Sequence, residues 1–132
     1  MKQGAGKNKG NAFERSISKE LSLFISGGKD ENLFWRSHSS GGRATQKFKK
    51  GEILEGQFGD ICATSNEGKL FLDNFVIECK AYKDINFFSI ITGTEGKILT
   101  WWRDLQTICG VQEKSGILIF RALPSKRNIT VL

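Results

Sequence analysis

Asp60, Glu78 and Lys80 are residues whose types and spacing could do chemistry together. Side chains alternate across a strand, so in Val76-Ile77-Glu78-Cys79-Lys80 the Glu and the Lys share a face, roughly 6 to 7 Å apart along it. Val76 and Tyr82 fall on that face too. Phe75, Ile77, Cys79 and Ala81 make an unbroken apolar set on the other, as in a strand packed on a core. Phe58 to Thr64 alternates as well, with Asp60 beside Phe58, Cys62 and Thr64 and with Ile61 and Ala63 opposite. If the two segments pair through a tight reversal at Ser65-Asn66-Glu67-Gly68-Lys69, whose Asn and Gly suit such a turn, Asp60 and Glu78 meet. Two carboxylates suffice for a hard cation such as Mg²⁺, which keeps several of its waters. Beside a lysine, such a site answers the needs of phosphodiester cleavage: an activated water, a counter-charge for the pentacovalent phosphate and relief for the leaving oxygen. The plainer alternative is a solvated sheet edge carrying a Glu and Lys pair, worth little energetically.

The elements that must position these residues follow from periodicity. From Asn11, a plausible N-cap, Phe13, Ile17, Leu21 and Phe24 form one helical stripe that stops at Gly27-Gly28. Glu14 lies beside that stripe in the first turn, where a carboxylate is favoured by the helix macrodipole. Residues 33–38 read as the first strand. It runs into a polar, basic stretch, Ser39 to Lys50, rich in hydroxyls, backbone amides and cations that bind phosphate oxygens, or else an ordinary surface loop. After the central strands come a short apolar turn or helix near residues 84–91, and a helix from Lys97 to Cys109 with a wide stripe of Ile98, Trp101, Trp102, Leu105, Ile108 and Cys109, ended by Gly110. The tryptophans fit core packing better than base stacking, with Trp102 partly buried. A buried strand over Gly116–Ala122 and a strand-like Ile129–Leu132 close the chain.

The 132 residues, 39% of them hydrophobic, suit one domain over residues 11–132, preceded by a disordered, basic, Gly-rich arm over residues 1–10. Gly4-Ala5-Gly6-Lys7-Asn8 is not a phosphate-binding loop: the Gly spacing is too short and no Ser or Thr follows the Lys, so no nucleotide cofactor is expected. No apolar run reaches a membrane span and the amino terminus lacks a secretory core, so a cytoplasmic protein without a membrane partner is expected. Cys62, Cys79 and Cys109 show no Cys-x-x-Cys spacing and suit a core rather than a disulfide or zinc site. His38 is the only histidine, which argues against histidine-based hydrolysis. Residues 1–50 hold 11 Lys/Arg against 4 Asp/Glu, whereas residues 51–132 hold 9 against 10. So basic a first third suits a polyanion, because phosphate contacts release counterions. By composition alone a non-catalytic nucleic-acid-binding protein using that third stays open, as does a solubilising tail; an interaction module fits less well.

Gly59-Asp60 followed by Glu78-Cys79-Lys80 resembles the PD-(D/E)xK nuclease superfamily, the fold of many restriction enzymes and of archaeal-type Holliday junction resolvases. The order helix, three strands, helix, strand, strand agrees with that superfamily. The resemblance therefore implies an α/β fold with a restriction-endonuclease-like αβββαβ core, its mixed central sheet flanked by helices. Ile-Thr-Gly, Leu-Thr-Trp-Trp and Ile-Leu-Ile-Phe-Arg are also similar to phage-encoded resolvase-like endonucleases. Gly59 stands where the family name has Pro. What the resemblance implies is a metal-dependent, structure-selective DNA endonuclease, with branched DNA as partner and a homodimer cutting paired strands. Its catalytic residues would be Glu14, Asp60, Glu78 and Lys80. Asp60 and Glu78 would hold Mg²⁺, or Mn²⁺ in its stead, with the Cys79 carbonyl as a further ligand and Glu14 at a second ion or its water. Lys80 would orient the attacking water. The family's Arg-Ser-x-Gly-Ser segment is similar to residues 36–40, which makes Ser37, Ser39 and Ser40, with Arg36, Arg43, Lys47, Lys49 and Lys50, candidates for nucleic-acid contact.

Overall fold

Strands that carry apolar residues on both faces need a layer on each side, and two helices supply those layers. The computed structural model of the chain describes residues 5–37, 59–93 and 96–132. Its elements are α1 (Ala5–Ile25), β1 (Phe34–Arg36), β2 (Ile61–Ala63), α2 (Asn66–Leu72), β3 (Phe75–Tyr82), α3 (Phe88–Thr92), α4 (Lys97–Gln112), β4 (Ser115–Ala122) and β5 (Ile129–Val131). β3 and β4 run parallel along their whole length, with Glu78 opposite Leu118, and β5 pairs antiparallel on the far edge of β4. β1 and β2 form a separate antiparallel pair. A parallel bridge between Gly59 and Ile77 joins the two sheets.

Alternate residues of β3 and β4 enter two cores. Ile77, Cys79 and Ile117 pack with Phe13 and Ile17 of α1, while Val76, Leu118 and Phe120 pack with Ile98, Leu105 and Cys109 of α4. Burial on both faces is what makes β4 read as a continuous apolar run over Ile117–Phe120, whereas β3 breaks the run at Glu78 and Lys80. The result is a mixed α/β fold of the restriction-endonuclease-like kind, with helices on both faces of a mixed sheet, as the sequence implies. Among the described residues no helix is long and apolar enough to cross a membrane.

Several expectations are corrected. α1 begins at Ala5, so Asn11 is not an N-cap but an interior residue of the helix. The added turns include Gly6, Asn8 and Gly10, which have low helix propensity, so propensity does not account for the extension; Asn11, now interior, has a tertiary partner described below. Phe24 leaves the stripe and is 80% exposed. Ser18 and Ser22 are buried instead, because Ser22 Oγ donates to the Ser18 carbonyl (2.7 Å) and accepts the Phe34 amide (3.1 Å), satisfying the first rung of β1. α4 runs through Gly110 and closes at Glu113, whose φ is 54°. Ile108, expected on its buried stripe, is exposed.

The largest correction concerns the reversal at residues 65–69. It is the start of α2: Ser65 caps the helix by accepting the Gly68 amide at 3.1 Å, and Glu67 lies in the first turn. Gly68 is there for close approach, since a Cβ would stand 2.5 Å from the Leu33 carbonyl oxygen. The segment after Asp60 therefore crosses over through α2, and Gly59 meets β3 in parallel rather than through a hairpin.

Candidate active site

Asp60 is fixed from three sides. Gly59 has φ 99°, and any Cβ on it would come within 2.5 Å of the Ile77 carbonyl oxygen, so only glycine lets the chain approach β3 this closely. The Asp60 amide donates to the Ile77 carbonyl (2.9 Å), and Asp60 Oδ2 accepts the Cys79 amide (2.7 Å). The carboxylate thus stands where the carbonyl of a neighbouring strand would be. On the other side Ser37 donates its amide to the Asp60 carbonyl (2.7 Å) and its hydroxyl to the Gly59 carbonyl (2.5 Å).

Glu78 and Lys80 occupy one face of β3, as alternation requires, and form an ion pair with Nζ 2.7 Å from Oε1. That face looks toward α4, whose Asp104 adds negative potential at Glu78. Burial first, and then the charge of Asp60, raise the Glu78 carboxyl above its ordinary 4.5, against the opposing pull of Lys80. For Lys80, burial favours the neutral amine, but the bond to Glu78 and the surrounding carboxylates outweigh it and hold the ammonium above 10.5.

Glu14 faces the opposite core. Its Oε2 accepts from Arg36 Nε at 3.0 Å, with only 14% and 16% of the Arg36 and Glu14 side chains exposed. Arg36 Nη2 also donates to Asn11 Oδ1 at 2.7 Å. The three carboxylates surround one group, the Cys79 thiol, which burial and then Asp60, Glu14 and Glu78 push well above its ordinary 9.0. They do not close into one ligand set: among the described residues no three His, Cys, Asp or Glu side chains are arranged to hold a metal ion together. Asp60 and Glu78 remain a pair of acids whose mutual repulsion a hard cation would relieve, which fits a two-carboxylate site.

A cleft of about 480 Å³ reaches Glu14, Cys79 and Lys80, though neither Asp60 nor Glu78 lines it, and extends over Tyr82, Lys83 and Lys97. Arg36 and Ser37, expected at a nucleic-acid surface, are turned inward onto Glu14 and the Gly59-Asp60 segment. Ser39, Ser40, Arg43, Lys47, Lys49 and Lys50 lie outside the described residues, as does His38. Sequence reasoning missed Asn11 as the second holder of Arg36, although its i,i+3 spacing from Glu14 puts both on one helix face. It also missed Asp104, Lys83 and Lys97, for which no local pattern exists.

Comparison with known proteins returned no match among curated proteins or solved structures. A family model does match, over residues 5–131, and it describes the phage putative PDDEXK endonucleases. That span takes in α1, both sheets and every described residue of the acidic site, so the chain belongs to the phage PD-(D/E)xK endonuclease family.

Proposed function

We propose that the protein is a divalent-metal-dependent DNA endonuclease selective for branched DNA, acting in the host cytoplasm. Mg²⁺ is the natural ion and Mn²⁺ its substitute. Asp60 and Glu78 hold the ion together with the Cys79 carbonyl. When bound, the ion supplies an acidified water and a counter-charge for the phosphate. Lys80, placed on the same strand face as Glu78 and 2.7 Å from its Oε1, orients the attacking water and neutralises charge gathering on the phosphate oxygens. Glu14 acts from the α1 side on water or on a second ion, with Arg36 fixing its carboxylate. Ser39, Ser40, Arg43, Lys47, Lys49 and Lys50 contact DNA, while Ser37 steadies the Asp60 turn.

The observation that carries this reading is the bond from the Cys79 amide to Asp60 Oδ2, which fixes one acid a single residue from the other. Family membership supports endonuclease chemistry. The test is a cleavage panel of four-way junction, linear duplex and single-stranded DNA with Mg²⁺, Mn²⁺ or chelator, run with Glu78→Ala alongside. Metal-dependent cutting of the junction by symmetric strand pairs, by a protein that light scattering finds dimeric, is expected. Cutting by Glu78→Ala at the wild-type rate would sink the site assignment. Preference for linear duplex would sink the junction reading, and binding without cutting under any metal would favour a non-catalytic DNA-binding protein.

A further inference from the structure

Three lysines unconnected in sequence line one cleft. Lys9 comes from α1, Lys83 from just beyond β3, and Lys97 from the first residue of α4; all three are exposed. Among the described residues none of them makes an ion pair with a carboxylate. The cleft runs from Cys79 and Lys80 outward and shares Lys9, Ala81, Lys83, Asp84 and Leu123 with a neighbouring cleft of about 740 Å³ that also takes in Arg121. Together they make a channel that starts at Lys80, the lysine paired with Glu78, and is larger than a single phosphate needs; its cations Lys9, Lys80, Lys83, Lys97 and Arg121 outnumber its carboxylates, Glu14 and Asp84.

Lys97 is held in place. Its ammonium sits 4.9 Å from the centroid of the Tyr82 ring, and that ring packs on Trp101 at 5.1 Å. A cation over an aromatic face is attracted to the ring quadrupole. The start of a helix disfavours a cation, and α4 has no acidic residue in its first turn to offset it. The helix end itself does not favour Lys97; the Tyr82 ring holds it there with its ammonium exposed, where an anionic ligand can reach it.

We propose that this channel is the track for one nucleic-acid strand leading away from the cleaved phosphate, with Lys9, Lys83 and Lys97 contacting successive backbone phosphates. The inference rests on the nuclease reading and names where its substrate lies, apart from the basic stretch of residues 36–50 to which the sequence directs attention. Backbone contacts of this kind carry affinity and register rather than sequence preference.

Each phosphate contact contributes to the salt dependence of binding, with log K falling against log salt by about 0.9 per contact on duplex and about 0.7 on a single strand. The experiment measures anisotropy of labelled duplex and single-stranded oligonucleotides across a salt series in chelator, where no metal-dependent cutting occurs. It compares wild type, Lys9→Gln/Lys83→Gln/Lys97→Gln, and a charge-matched control, Lys29→Gln/Lys126→Gln/Arg127→Gln, none of whose positions lines the channel. The expected result is a slope about 2 to 3 lower for the channel variant and unchanged for the control. A channel variant with the wild-type slope overturns the proposal, as does an equal fall in both variants. A wild-type protein that binds through these lysines but cuts nothing when metal is restored leaves the track standing and removes only the nuclease reading.

Discussion

Asp60 Oδ2 accepts the Cys79 amide at 2.7 Å, so one acid of the site is also a rung of the sheet. Removing it acts twice. Asp60→Ala leaves a buried amide without its acceptor, a loss of about 1 to 3 kcal/mol. Asp60→Asn keeps an oxygen acceptor and is expected to recover most of that stability in denaturant unfolding while failing to restore DNA cleavage. Equal stability of the two variants would mean that the bond contributes nothing measurable.

Gly59 is expected to tolerate no side chain. Its φ of 99° and the 2.5 Å approach of a would-be Cβ to the Ile77 carbonyl make Gly59→Ala costly by about 2 kcal/mol or more, combining left-handed strain with displacement of the Asp60 turn. Thermal unfolding checks the stability, and loss of cleavage well below the melting transition would report the displaced acid. Proline is excluded here as well, since its ring fixes φ near −65°.

The Glu14–Arg36 pair should couple strongly. Both side chains are largely buried, so either single alanine leaves an uncompensated charge. A double-mutant cycle on stability is expected to return a coupling energy of about 1 to 3 kcal/mol. A value near zero would mark the pair as no better than a surface contact.

Glu78 gives the metal-free protein a pH dependence of definite sign. Its folded carboxyl is raised above 4.5 by burial and by Asp60, so the folded state holds the proton more tightly than the unfolded chain. The group favours folding below 4.5, and that contribution is lost as pH rises through the folded value. Lys80, raised above 10.5, keeps its full contribution below that pH and loses it only as pH climbs through its own folded value, so it adds no slope in the acid range. In chelator, Glu78→Gln should therefore gain stability relative to wild type as pH rises from 4.5 through the raised folded value. A difference that is flat or shrinks over that range would contradict the assigned direction.

Much of this arrangement was legible beforehand because it is periodic. Alternation gave the shared face of Glu78 and Lys80, and helical spacing gave the buried faces of α1 around Phe13 and Ile17 and of α4 around Ile98 and Leu105. What failed was local punctuation: Asn66 and Gly68 suited a turn and Asn11 suited a cap, but residues 66–68 open a helix and Gly68 and Asn11 answer longer-range demands. Gly68 admits the Leu33 carbonyl, Ser65 caps α2, and Asn11 holds Arg36. The inward turn of Arg36 and Ser37 could not be read either, since a basic and hydroxyl-rich segment has the same composition whether it faces DNA or braces acids.

The bridge between Gly59 and Ile77 also has a meaning in time. Asp60 precedes β2 in one sheet and Glu78 stands on β3 of the other, so the two acids become neighbours only once the sheets have docked. A chain still folding, or one nicked and fraying, holds them apart. The site described here thus exists only where that docking has occurred, and a half-made copy lacks the juxtaposition that would let it act on the DNA around it.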